Sequence, residues 1–109
     1  MTEECVFCSI AEGKTDAELL HEDEQAVAFA DKTPQASVHL LLISKTHYAA
    51  VTDVPADDPL LSHLVTVARD IGNQRSPEGF RLVINTGIQA DVPHLHVHVL
   101  GGPKRLSLT

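Results

Sequence analysis

Positive charge is scarce in this 109-residue sequence: 8 Lys and Arg stand against 15 Asp and Glu, a formal net charge of −7. No stretch groups basic residues with aromatics, so the positive footprint that phosphate-backbone affinity needs is missing and nucleic acid is not an expected partner. A small anion would have to be held by local donors against an unfavourable overall field. Long apolar runs are also missing. None approaches the ~20 residues of a membrane-spanning helix, and the opening Met-Thr-Glu-Glu-Cys carries no basic segment of a secretory signal. The expectation is a cytoplasmic protein with no membrane partner. Cys5 and Cys8 are the only cysteines. Three apart in a cytoplasmic chain, they suggest a metal clip or redox pair rather than a disulfide scaffold.

The sequence does have a globular balance, 43% hydrophobic and 21% charged. One domain spanning residues 1–109 is expected, burying roughly two-thirds of its unfolded surface. A short helix is predicted over residues 5–12, with Gly13 as its stop signal. Residues 19–21 and 26–30 read as a hairpin around the polar turn 22–25, followed by a loop over residues 31–35. Residues 38–44 form the most apolar strand, with His39, Leu41 and Ile43 on one face and Val38, Leu40 and Leu42 on the other. Asp57 and Asp58 can cap a long helix whose first turn takes Pro59. Leu60, Leu64, Val67, Ala68 and Ile71 recur at helical spacing, and Gly72-Asn73 is expected to end it. Two last strands, 80–85 and 94–100, are joined by a loop over residues 86–93. Strands, one long helix, then strands argue for an α+β fold with an antiparallel sheet.

The informative segment is His94-Leu95-His96-Val97-His98-Val99-Leu100. In a strand the three imidazoles share one face, while Leu95, Val97 and Val99 share the other. Structural histidines satisfied by neighbouring carbonyls, a metal site, and imidazole chemistry on a small anion all fit this pattern. Imidazole suits phosphoryl transfer because the neutral ring is nucleophilic near its unperturbed pKa of about 6.5, while a protonated ring donates strongly to phosphate oxygens. His21 and His63 fit no motif and read as solvated, as does the acidic turn Glu22-Asp23-Glu24.

The segment resembles the motif of the histidine-triad (HIT) family, His-φ-His-φ-His-φ-φ with φ apolar, and Gly101-Gly102 resembles its nucleotide-binding Hint branch. Further resemblance lies in residues 5–10, 29–31, 34–36, 39–43, 45–47 and 83–87. It implies a five-stranded antiparallel sheet with one long and one short N-terminal helix, and hydrolysis of purine nucleotide phosphoramidates. His96 would attack the α-phosphorus and become a covalent nucleotidyl-imidazole. His98 would contact the same phosphate, His39 and His94 would complete the catalytic group, and Asn85 and Gln89 would donate to phosphate. Asp31 would accept from the ribose hydroxyls, and Phe7, Ile10 and Phe29 would line the base pocket. The resemblance also implies a structural Zn²⁺ on Cys5, Cys8, His47 and His94, a ligand set of two thiolates and two imidazoles that leaves no open position. No organic cofactor is expected, and a homodimer is.

The sequence departs from the family in one place. Members usually carry Gly-Gln-Ser or Gly-Gln-Thr before Val-x-His, whereas this chain reads Gln89-Ala90-Asp91-Val92-Pro93. An ionised carboxylate repels a phosphate where a hydroxyl would donate to it, so Asp91 is given no catalytic role. Three other readings are alternatives: a dinucleoside polyphosphate hydrolase or nucleotidyltransferase, a nucleotide-binding regulatory module with weak turnover, and a catalytic metal on the three histidines. The role of the short tail, residues 103–109, is not legible.

Overall fold

The computed structural model describes residues 5–106, so the last three residues of the tail lie outside it. Helix α1 (Val6–Ala11) is only six residues long and is held by its ends and by packing. Cys5 Sγ accepts the Cys8 N–H at 3.3 Å as a cap, and Phe7 and Ile10 are buried. Gly13 follows with φ +76°, a conformation that glycine adopts without steric cost.

Five strands, β1 (His21–Glu22), β2 (Ala26–Ala30), β3 (Val38–Ser44), β4 (Phe80–Val83) and β5 (His96–Gly101), form one sheet in the order β1-β2-β3-β5-β4. Every neighbouring pair is antiparallel. The three central strands, β2, β3 and β5, split the core as their alternation predicts. Ala26, Ala28, Leu40, Leu42, Val97 and Val99 face helix α2 (Leu60–Arg75), where Leu60, Leu64, Val67, Ala68 and Ile71 are buried. Val27, Phe29, Leu41 and Ile43 face the other way and pack with Phe7 and Ile10 of α1. Each fully buried aliphatic side chain contributes about 1.5–3 kcal/mol.

The structure corrects the sequence reading at several boundaries. Helix α2 does not end at Gly72-Asn73 but runs to Arg75. Gly72 is a contact glycine: a Cβ there would meet the Phe80 ring at 2.6 Å, so its bare Cα makes room for the first residue of β4. At the other end, Asp58 Oδ1 accepts the Leu60 N–H at 2.9 Å. β4 stops at Val83 rather than residue 85, β1 comprises only His21 and Glu22, and β5 starts at His96 rather than His94.

Candidate active site and metal centre

The ladder between β3 and β5 opposes Ile43 to His96, Leu41 to His98 and His39 to Leu100. His39, His96 and His98 therefore lie on the sheet face that α2 does not cover, with His39 diagonal to His98. The ring centroids of His96 and His98 are 5.0 Å apart, and those of His39 and His98 are 5.1 Å apart. Phe7 stands edge-on to His96 at 5.2 Å, so the short helix walls the imidazoles on one side.

Backbone groups determine which nitrogen of each ring carries the proton. His96 Nδ1 lies 2.7 Å from the His94 carbonyl, which only accepts. Nδ1 is therefore the donor, and the neutral ring presents its Nε2 lone pair outward. His39 Nδ1 accepts the Gln35 N–H at 2.9 Å, so its proton sits on Nε2, directed at His98 Nδ1 at 2.9 Å and flanked by Asp31 Oδ2 at 3.3 Å. His98 Nδ1 consequently accepts, and its Nε2–H is a donor. Burial first, then the neighbouring His96 and His39, lower the His98 pKa, while Asp31 and Asp91 oppose that shift. One ring thus offers a lone pair beside another that offers a proton.

His94 has a different task. It is fully buried, and its Nε2 lies 2.7 Å from the Ser44 carbonyl, which fixes the proton there. The Nδ1 lone pair then faces Cys5 Sγ at 3.2 Å and Cys8 Sγ at 3.5 Å, and Cys8 Sγ lies 3.1 Å from His47 Nδ1. One ligand atom from each of Cys5, Cys8, His47 and His94 lies within 4.8 Å of the others. A buried imidazole nitrogen locked as an acceptor, facing two sulfurs, is the donor set a tetrahedral thiophilic cation takes, and the Ser44 carbonyl is the outer partner such a histidine needs. Burial, then Cys5, push the Cys8 thiol up to about 11, so a cation must displace its proton. Burial likewise lowers the His94 pKa, which keeps this ring neutral.

Asp31, His39 and His98 also bring ligand atoms within 4.8 Å. They do not suit a metal, because His39 accepts at Nδ1 and cannot also offer Nε2 while the Gln35 hydrogen bond stands. With His94 engaged at the sulfurs, this argues against one ion gripped by the three triad histidines.

The remaining expected residues are placed as follows. Asp31 follows β2, and its Oδ1 accepts the Thr33 N–H at 2.8 Å. Ile10 and Phe29 line a cavity of about 490 Å³, whereas Phe7 packs against the imidazoles. Asn85 lies two residues beyond Val83, the last residue of β4, which opposes His98. Gln89 is exposed at the end of a 3₁₀ turn, Gly87–Gln89, and Asp91 is exposed just beyond it.

Three groups that the sequence reading passed over matter here: the Gln35 amide and the Ser44 and His94 carbonyls. No side-chain pattern marks a backbone group. His21 and His63 are not simply solvated either. Their Nε2 atoms lie 2.6 and 2.8 Å from the same Asp23 Oδ2. Burial alone would raise the Asp23 pKa, but hydrogen bonds from His21, Gln25, His63 and Ala26 hold it well below the usual carboxylate range.

A family model described as scavenger mRNA decapping enzyme C-term binding matches residues 4–107. The chain is 35% identical over 107 residues to the purine nucleoside phosphoramidase of Escherichia coli K12, covering 94% of this chain and 90% of that protein. A solved histidine triad protein from Clostridium difficile matches with a TM-score of 0.89 at 33% identity, covering 97% of this chain and 96% of that one. The chain belongs to the histidine-triad family.

Within the family, a zinc-bound histidine triad protein from Mycobacterium smegmatis is similar as well, with a TM-score of 0.84 at 29% identity over 100% of this chain and 82% of that one. The five-stranded sheet with its long and short helices is the family fold. No helix among the described residues is long and apolar enough to cross a membrane.

Proposed function

We propose that this histidine-triad protein hydrolyses purine nucleotide phosphoramidates through a covalent nucleotidyl-His96 intermediate. One observation carries the reading: the 2.7 Å bond from His96 Nδ1 to the His94 carbonyl leaves Nε2 as a free nucleophile beside the His98 N–H donor. As Nε2 bonds to the α-phosphorus, the phosphorus–nitrogen bond breaks and the amine leaves with a proton taken from solvent, matched by the proton that the attacking water returns to solvent in the second step. Water then attacks the adduct, releasing the nucleoside monophosphate and restoring the ring. His98 Nε2–H stabilises charge on the phosphate oxygens, where a well-placed donor supplies roughly 10²–10³-fold. His39 acts through His98 by holding its Nδ1 as an acceptor. Asn85 donates to the phosphate and Asp31 accepts from the ribose hydroxyls, since an ionised carboxylate offers only acceptors.

Cys5, Cys8, His47 and His94 would hold a Zn²⁺ ion that ties the amino-terminal helix to the start of β5. A closed four-ligand site supplies structure rather than a reactive water. β4 is an edge strand, and a second copy of the chain is the partner that would cover it. The formal charge of −7 disfavours the longer phosphate chain of a dinucleoside polyphosphate.

The test is a quenched single-turnover reaction with an adenylyl or guanylyl phosphoramidate, read by intact-protein mass. A gain of one nucleotidyl group, absent in His96→Asn, is expected. Nucleotide affinity with no adduct and no turnover would favour a binding module.

A further inference from the structure

The cavity of about 490 Å³ behind Ile10 and Phe29 has an acidic rim that the chemistry at phosphorus does not use. Its walls are apolar, with Val6 alongside those two residues, and its size lies within the ~300–1,000 Å³ of small-molecule sites. Thr15, Asp16 and Glu18, from the segment between α1 and β1, line it as well, together with Lys32, and all four are exposed at its solvent side. Among the described residues, neither Asp16 nor Glu18 makes a side-chain hydrogen bond or ion pair. Ala30 and Lys32, the two neighbours of Asp31, both line the cavity. Asp31 itself lines a second cavity, of about 360 Å³, with His39, and Ala30 lines both; a ribose held by Asp31 would stand where the two meet, with the attached base directed between Ile10 and Phe29.

We propose that this rim makes the pocket select guanine over adenine. The inference rests on the nucleotide reading above and names its base. The free edge of guanine presents N1–H and the 2-amino group as two adjacent donors, which a carboxylate, with acceptors only, receives in a bidentate, charge-assisted pair. Adenine turns an N1 lone pair to the same place, which a carboxylate repels, and offers no amino group at C2. Lys32 adds a donor that matches the guanine O6 acceptor and opposes the 6-amino group of adenine. The repulsion between these carboxylates and any nucleotide phosphate is the same for both bases, so it cancels from their ratio.

Titration calorimetry of the full chain with GMP, IMP and AMP tests this. GMP is expected to bind at least about 10-fold more tightly than AMP, with IMP, which lacks the 2-amino group, between them. In the double variant Asp16→Asn/Glu18→Gln the ratio of GMP to AMP affinity should fall to within about 2-fold of unity. Equal affinities in the wild type, or a preference that survives both substitutions, would overturn the inference while leaving a nucleotide site in place. Failure of all three nucleotides to bind would overturn the nucleotide reading itself, and this inference with it.

Discussion

Removing the proposed Zn²⁺ should lower thermal stability by an amount that follows from chain length and the ligand set. A ligand that binds only the folded state stabilises it by RT ln(1 + [L]/Kd), about 4 kcal/mol at a thousand-fold excess over Kd. Cys5, Cys8, His47 and His94 converge only in the fold, since they lie 39 to 89 residues apart across the two pairs, so the unfolded chain has no comparable site. For 109 residues, an unfolding entropy of about 2.1 cal/mol/K per residue gives about 0.23 kcal/mol/K, or about 4 °C per kcal/mol. Stripping the protein with a strong chelator should therefore lower Tm by about 15–20 °C in scanning calorimetry, and one equivalent of Zn²⁺ should restore it. Because the Cys8 thiol, pushed up by burial and by Cys5 to about 11, must give up its proton to the cation, the chelator effect should shrink as pH falls. His47→Ala, which removes the exposed ligand, should lower Tm without further response to chelator. A melting curve that chelator leaves unmoved, in protein shown by elemental analysis to have carried zinc, would refute the reasoning.

Other outcomes follow from the site geometry. His96→Ala should lower phosphoramidate turnover by at least about 10³-fold and abolish the adduct, whereas His98→Ala should cost about 10²-fold and leave the adduct detectable; equal losses would contradict the division of labour between the rings. Burial, then His96 and His39, lower the His98 pKa, so below about pH 6.5 the unfolded chain binds a proton the native state resists and stability falls by up to ~1.4 kcal/mol per pH unit. Urea melts from pH 7.5 to 5.5 should show that decline, flattened in His98→Gln; a rise in midpoint on acidification would count against it. Asp23→Ala removes an acceptor of four hydrogen bonds between 2.6 and 2.9 Å and should cost about 2–3 kcal/mol in denaturant titration, with loss under 0.5 kcal/mol counting against a stabilising role for these bonds.

The layers were legible because period-2 and period-3.6 patterns follow directly from burial. The alternation of residues 38–44 separates Leu40 and Leu42, under α2, from Leu41 and Ile43, under α1. The helical spacing of Leu60, Leu64, Val67, Ala68 and Ile71 is the buried stripe of α2. What failed depended on partners distant in sequence. Gly72 has the composition of a helix stop, yet the ring it accommodates belongs to Phe80 in the next strand. His63 looked solvated because its acceptor, Asp23, is 40 residues away across a packing interface that no local pattern displays.

The triad shows the same division at the level of single atoms. Alternation places His94, His96 and His98 in one series, and a strand through all three would make them chemically equivalent. In the structure the strand starts only at His96, and the Ser44 carbonyl takes the Nε2 proton of His94, so that ring turns its lone pair to the cysteines and leaves only its carbonyl to His96. That carbonyl takes the Nδ1 proton of His96, while the Gln35 amide, through His39, sets the opposite tautomer at His98. In the proposed reading, three identical side chains thus serve as a metal ligand, a nucleophile and a donor, set apart by three backbone groups. Side-chain identity can therefore show that imidazole chemistry is present, but the assignment of roles requires the fold, because only the fold brings a carbonyl or an amide to each ring.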